Sequence, residues 1–326
     1  LFNIKQLTKG NNMNNLKKIG LTALGTALVT AGSAQAASLS VSGATSIFFN
    51  GEDNSNLGNG WSMTDSITFS ASGEMDNGMT VSTSIEMDGH SAAASSRSIS
   101  IDTGDGMKLT FSGEGGSGPI GAWDDVTPTA NEEAHGVATA GTATGATSDS
   151  EDSNFFIFDY TAMDGVAIKA SYNPSATTTR IESSHELGLL YTGVEGLSVY
   201  AATGENNDAG SGSAKDLTNL AIKYAAGAFT VGIQENEVDS AAANGDTEFS
   251  AVGISYAVND DLSVSINSST VDYEQATLDD QEATGVSVSY TQGGITVSAA
   301  HSNIDNVAGS GTADNSGYEV NFAFAF

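Results

Sequence analysis

Period-two alternation restricts this chain more than any other feature. The stretches SLSVSGATSIFF (38–49), SITFSAS (66–72), TVSTSIEM (80–87), SISID (98–102) and KLTFSG (108–113) all show it. So do VAIKASY (166–172), GLSVYAA (196–202), FTVGIQ (229–234), DLSVSIN (261–267), GVSVSY (285–290) and ITVSAA (295–300). One set of positions holds Val, Ile, Leu, Phe or Tyr; the other holds Ser, Thr, Gly, Asn or an occasional charge. Successive side chains of a strand point to opposite faces, so each stretch reads as a strand with one apolar and one polar face. The chain ends the same way, on GYEVNFAFAF. Tyr318, Val320, Phe322, Phe324 and Phe326 share one face; Glu319, Asn321, Ala323 and Ala325 share the other. In water such a terminal strand invites pairing with another chain.

The connections alternate as well. Short turns fall at Met75-Asp76-Asn77-Gly78, Gly104-Asp105-Gly106, Met163-Asp164-Gly165, Gly193-Val194-Glu195-Gly196, Ala226-Gly227, Asn259-Asp260-Asp261 and Gln292-Gly293-Gly294. Gly, Asn and Asp accept the positive φ that hairpin turns need. Longer acidic loops centre near residues 55, 92, 135, 178, 210, 241, 276 and 308. Seven short turns and eight long loops join sixteen strands. An even strand number with short turns at one end and long loops at the other is the layout of an outer-membrane β-barrel. A second pattern agrees. Tyr160, Tyr191, Tyr224, Tyr256 and Tyr290 each precede a short turn with the parity of the apolar face, and Phe69 and Phe326 hold the matching places on the second and last strands. Amphipathic rings at one height suit a membrane–water interface. The closing strand would then pair with 38–49 and leave no open edge in hydrocarbon.

The charges are placed unevenly. Residues 1–36 hold Lys5, Lys9, Lys17 and Lys18 and no acid, so all 40 acids follow them, beside six bases. Nucleic acid is thereby excluded as a natural partner, because its phosphates would be repelled. With no cysteine there is no disulfide framework and no thiolate zinc site. From Met13, Lys17-Lys18, the apolar run Ile19 to Ala31 and the small residues of Ala34-Gln35-Ala36 form a cleavable signal peptide, 13–36. Residues 1–12 read as a non-native region upstream of the start, and 37–326 as the exported barrel.

A leader, sixteen alternating strands and the terminal YEVNFAFAF resemble the general bacterial porins, in length the alphaproteobacterial type. The resemblance covers 37–326 and implies an outer-membrane homotrimer in contact with lipid, each barrel passing ions and small hydrophilic solutes without cofactor or turnover. It also implies that the third long loop folds inward and narrows the pore. That loop, about 114–153, is the longest here; GGSGPIGAWDD stands where enteric porins carry Pro-Glu-Phe-Gly-Gly.

On that reading the constriction carboxylates are Glu114, Asp124, Asp125, Glu132 and Glu133, with Asp149, Glu151 and Asp152 farther along; the loop carries no Lys or Arg. Parity puts Lys108, Lys169 and Lys223 on the lumen wall with Glu86, Asp159 and Glu186, and sets Arg97 near a rim or in a break of the pattern. The excess of acid predicts a weak cation preference. Asp124-Asp125, Asp149 to Asp152 and Asp279-Asp280 offer oxygen ligands for weak calcium binding, although none has EF-hand spacing. Trp61 fits an outer aromatic girdle, and Trp123 fits packing of the third loop on the wall. The histidines, His90, His135, His185 and His301, accompany no nucleophile or metal signature, and GGSG (115–118) only approximates a nucleophile elbow, so an enzyme is not expected. The competing reading is an exported acidic β-rich surface or structural protein without channel activity.

Overall fold

A computed structural model of the chain describes residues 38–53, 60–89, 94–137, 153–174, 182–207 and 214–325. The leader, residues 1–12 and Phe326 lie outside them, as do Asp149, Glu151 and Asp152. Sixteen strands follow in order. The first five are β1 (Ser38–Glu52), β2 (Gly60–Glu74), β3 (Thr80–Asp88), β4 (Ser96–Asp102) and β5 (Met107–Glu114). After the third long loop come β6 (Phe155–Met163), β7 (Val166–Asn173), β8 (Ser184–Tyr191), β9 (Leu197–Asn206) and β10 (Lys215–Ala226). The last six are β11 (Phe229–Ser240), β12 (Thr247–Ala257), β13 (Leu262–Tyr273), β14 (Gln281–Gln292), β15 (Ile295–Asp305) and β16 (Asn315–Ala325). The described residues add one helical turn, α1 (Pro119–Ala122), and a 3-10 turn, η1 (Val307–Gly309).

Every strand pairs antiparallel with its sequence neighbours, and β16 pairs with β1, from Ala44 opposite Ala325 to Glu52 opposite Gly317. The sheet is therefore a closed barrel, and the aromatic terminus is its closing stave. The connections divide as the turn chemistry requires. Gly227 takes a φ of 61° in the tight β10–β11 hairpin. Gly165, at φ 74°, lies against the next turn, where a Cβ would stand 2.5 Å from the Gly193 Cα. Turn carbonyls also accept from the neighbouring strand: Gly165 O from Thr192 N at 2.8 Å, and Gly196 O from Ala225 N at 2.8 Å.

Burial is inverted relative to a water-soluble domain. Among the described residues 39 large apolar side chains are exposed, whereas fifteen apolar residues are buried. Ile266 is 58 % exposed and its neighbour Asn267 only 6 %. The outward face is thus the greasy one, and the inward face is polar. Cross-strand hydroxyls pair along that inner face: Ser38 with Ser72 at 2.7 Å, Ser46 with Thr64 at 2.6 Å, and Ser82 with Ser100 at 2.8 Å. Among the described residues the helical segments are single turns, none long and apolar enough to cross a membrane, and the closed sheet leaves no strand edge unpaired.

The outward face belongs in hydrocarbon, so charge there is costly. Ile266→Arg, in the middle of an apolar face, should destabilise the folded barrel by about 2–4 kcal/mol. Thr68→Arg, on the inner face opposite Glu86, should cost far less. Urea unfolding from lipid vesicles measures both; equal losses would contradict the assignment of faces.

Candidate functional site

The barrel interior owes its shape to the third long loop, loop 3, whose described part runs from Gly115 to Val137. It crosses the inner wall strand by strand. At its start Gly118 lies against Ser171 of β7 and Glu186 of β8, where a Cβ would stand 2.1 Å from Glu186 Oε2. The Ile120 N–H donates to Glu186 Oε2 at 3.0 Å, and Asn219 Nδ2 of β10 donates to the Ile120 carbonyl at 2.8 Å. Trp123 packs edge-to-face on Tyr200, ring centroids 5.8 Å apart. Gln234 and Asn236 of β11 then clasp the backbone: Nε2 donates to Trp123 O at 3.1 Å and to Asp124 O, Asn236 Nδ2 donates to Asp124 O at 2.7 Å, and Gln234 Oε1 accepts from Val126 N at 2.7 Å. Farther on, Ala130 N donates to Ser265 Oγ of β13 at 2.9 Å, Asn131 N to Ser287 Oγ of β14 at 3.1 Å, and Ser298 Oγ of β15 to Asn131 Oδ1 at 2.6 Å.

These contacts need a cleared track. A Cβ on Gly188 would sit 2.2 Å from Trp123, one on Gly232 2.6 Å from Pro128, one on Gly253 2.8 Å from the Pro128 carbonyl, and one on Gly285 2.9 Å from the Ala134 Cα. Inward glycines of β8, β11, β12 and β14 therefore form a trough in which the loop backbone lies. Two small apolar clusters seal its ends. Ile120 packs with Ala202, Leu217 and Val238 under Trp123; Ala134 packs with Ala283, Ile304 and Val307. With the loop held on β7–β15, the open lumen lies between it and the wall of β16 and β1–β6.

The expected wall charges do face inward, but not as a free basic patch. Lys108 stands opposite Asp102 on one side and Asp159 on the other, and Asp159 stands opposite Lys169. The row across β4–β7 alternates in sign, with Lys169 Nζ 3.3 Å from Asp159 Oδ1. Lys108, Asp159, Lys169 and Glu114 border one lumen recess of about 340 Å³ beside the base of loop 3. Glu86 and Asp88 border another of about 360 Å³ with Asn321. Lys223 lies 5.8 Å from the Tyr200 ring centroid. Glu186 is buried beneath α1, an anchor for the loop and not a charge presented to the pore. Arg97 sits at a register break with Ser98, exposed, its side chain over Gly113 near the long-loop end of β4.

On loop 3, Glu114 closes β5 and is exposed, while Asp124 is fixed by its backbone carbonyl. Asp125 meets lumen water on one side, yet enclosure in the narrowed lumen, then the Glu133 carboxylate bonded to it and the charge of Asp124, push its carboxyl well above the usual range. Glu132 is pushed up to about 8 by burial first, then by its contact with Glu133 and by Glu319 of β16. Burial pushes His135, edge-on to Phe249, down and so favours its neutral ring, against the Glu133 charge, which favours the protonated one. Among the described residues no three His, Cys, Asp or Glu are arranged to hold a metal; Asp279 and Asp280 lie in the β13–β14 loop, braced by Gly309 O and Asn306.

Parity also puts the tyrosines on the outward face at the short-turn end. Tyr191, Tyr224, Tyr256 and Tyr290 are exposed, Tyr160 stacks on Phe158 at 6.3 Å, and Phe69 stands farther from its turn than they do. At the opposite end of the same face lies a feature that sequence reading passed over. Glu205, Asp216, Glu235, Glu237, Asp239, Glu248, Asp272, Glu282 and Asp305 all point outward from β9–β15 above the apolar belt. Glu237 stands opposite Glu248, and Glu248 opposite Asp272. The alternation FTVGIQENEVDS already carries the signal, since Glu235, Glu237 and Asp239 continue the face of Val231 and Ile233.

A family model of Gram-negative porins matches residues 20–284. Among solved structures, the anion-selective porin of Comamonas acidovorans superposes with a TM-score of 0.68 at 12 % identity, over 89 % of this chain and 100 % of that one. The trimer form of OmpT from Vibrio cholerae, folded in vitro, gives 0.68 at 13 % identity over 90 % and 100 %. A substituted form of the Rh. blastica porin gives 0.64 at 16 % identity over 89 % and 100 %. No curated protein sequence matches the chain. At such identities the structural likeness is one of fold.

The trough makes a testable demand. Gly253→Val should lift loop 3 from the wall at Pro128. A Glu-specific protease acting on the folded barrel should then cut after Glu132 or Glu133 about tenfold faster or more, since local opening governs cleavage. An unchanged cleavage pattern would show that the loop does not depend on the trough.

Proposed function

The chain belongs to the Gram-negative porin family, and from that membership we infer an outer-membrane channel for passive diffusion of ions and small hydrophilic solutes that weakly prefers cations and works as a homotrimer. One observation supports the selectivity: the described part of the loop, with Glu114 at its base, carries Asp124, Asp125, Glu132 and Glu133 and no Lys or Arg, so whatever charge it keeps once Asp125 and Glu132 take up protons is acidic. Sixteen strands leave room for an aqueous passage. Transport then needs no bound group and no chemical step; the passage width and the charges around it decide what crosses.

The sign of the preference follows from those charges. Carboxylates raise the local concentration of cations and repel anions, over a range of about 8–10 Å at physiological salt. Lys108 and Lys169 do not cancel this, because they stand in a row that already contains Asp102 and Asp159, which leaves Lys223 as a single wall lysine without an acid opposite it. The Comamonas porin of the same fold is anion-selective, so the fold alone does not set the sign. Contact with outer-membrane lipid is supported by the outward apolar face, which also disfavours a surface protein without channel activity. Trimer assembly draws support from the OmpT trimer form.

Planar-bilayer recording under a potassium chloride gradient tests the reading. Reversal potentials should favour cations, and the preference should fall in the double variant Asp124→Asn/Asp125→Asn. Anion-favouring reversal potentials would overturn the charge assignment, and a reconstituted protein that forms no channels would overturn the function.

A further inference from the structure

We propose that two grooves on the outward face of the barrel, one over β12–β15 and one over β7–β10, each seat an ethanolamine phospholipid by its headgroup. The proposal rests on the reading of this face as the one that meets lipid, and adds to it a choice of lipid.

The outward surface is not uniformly apolar. A groove of about 370 Å³ runs over β12–β15, with Ile254, Ile266 and Val286 along its apolar part and Thr284, His301 and Asn303 along its polar part. A second, of about 380 Å³, runs over β7–β10, with Leu187, Leu189 and Leu220 below and Thr203 and Thr218 above. Small outward side chains, Ser268 in the first and Ala201 in the second, leave the hollows between larger neighbours.

Strand register gives both grooves the same three levels. On β14–β15, Val286 stands opposite His301, then Thr284 opposite Asn303, then Glu282 opposite Asp305 toward the long loops. On β9–β10, Ala201 stands opposite Leu220, then Thr203 opposite Thr218, then Glu205 opposite Asp216. Apolar surface thus gives way to neutral hydrogen-bonding groups and then to paired carboxylates. Levels two residues apart on a strand tilted by about 40° lie about 5 Å apart along the membrane normal. An ethanolamine phospholipid has the same order of acyl chain, phosphate and ammonium, and its two-carbon linker spans one such level.

The side chains discriminate among lipids. The Thr284 hydroxyl and the Asn303 amide can donate to a phosphate, as can the hydroxyls of Thr203 and Thr218. His301 Nδ1 lies 2.8 Å from the Gly317 carbonyl, which only accepts, so Nδ1 carries the hydrogen and Nε2 is left for a ligand. Carboxylates directly opposite each other repel. The chain has no Lys or Arg after Lys223, so none on β12–β15 offsets Glu282 and Asp305. A lipid whose headgroup ends in a phosphate alone would add to that repulsion. A quaternary ammonium brings the charge but no N–H, whereas a primary ammonium brings both. In the second groove His185 Nδ1 lies 3.9 Å from Glu205 Oε2, so that acid pair already has a neighbour and the first groove is the tighter seat.

Native mass spectrometry of the folded barrel tests this, with phosphatidylethanolamine, phosphatidylcholine and phosphatidylglycerol offered in equal amounts. Phosphatidylethanolamine should be retained about tenfold over either of the others. Glu282→Gln/Asp305→Asn should lose that preference at the tighter seat. Ser268→Phe, which fills the groove below an intact headgroup site, should lose the lipid itself. Both variants should form channels of unchanged conductance, since these side chains face away from the lumen. Equal retention of phosphatidylcholine would overturn recognition of the ammonium. Retention of phosphatidylglycerol that matches phosphatidylethanolamine once magnesium is added would assign the acids to a metal bridge and overturn the proposal. A change of oligomeric state in Ser268→Phe would assign the groove to contact between copies and overturn it too. A natural chain that forms channels but retains no lipid would overturn the seats and leave the channel standing. A chain that forms no channels would instead overturn the underlying reading.

Discussion

In hydrocarbon no water satisfies a free N–H or C=O, and each unpaired group costs several kcal/mol. That constraint organises the whole barrel. The pairing of β16 with β1 removes the last edge, and with it the hazard of an aromatic terminal strand. Once closed, each strand has an outside and an inside. The outside holds Ile, Val, Leu and Phe, and the inside holds hydroxyls, amides and charges. The alternation visible from the first strand onward is the covalent record of that division.

The interior has a different logic. A polar loop inside a wet barrel gains nothing from burying grease, and its backbone could bond to water instead. Loop 3 is held because the wall offers better-organised partners: Asn219, Gln234 and Asn236 from β10–β11, then Ser265, Ser287 and Ser298 from β13–β15. A hydrogen bond nets only about 0.5–1.5 kcal/mol, so several in series and a glycine track are needed to fix one path. The same arrangement brings carboxylates together away from any base, which raises their proton affinity. Structure and electrostatics at the constriction are therefore linked: the path of the loop decides how close the charges come.

Much of this was legible in the residues. Parity assigned the strands, the inward Lys108, Asp159 and Lys169, and the outward tyrosines; turn chemistry separated short connections from long ones. Other features were not legible, for physical reasons. Gln234 and Val126 meet across 108 positions, and no local pattern says which loop will cover which wall. Glu186 has the parity of a pore charge, yet α1 covers it, because facing inward is not the same as facing water. Arg97, by contrast, was legible: its apolar parity pointed to a rim or a break in the pattern, and the register breaks between it and Ser98. The outward acids of β9–β15 were readable by the same rule as their apolar neighbours. They mark where the lipid-facing belt must end.

All of this depends on one face of each strand meeting lipid and the other meeting water. The chain has no cysteine, so single cysteines can be placed at consecutive positions along β7, from Ala167 to Tyr172, in vesicle-reconstituted protein. Spin labels there should alternate: polar-reagent accessibility highest at the inward positions Ala167 and Lys169, oxygen accessibility highest at Ile168, Ala170 and Tyr172, with Ser171 shielded beneath Gly118 of loop 3. Accessibility to the polar reagent that is uniform along the strand would contradict the account at its root.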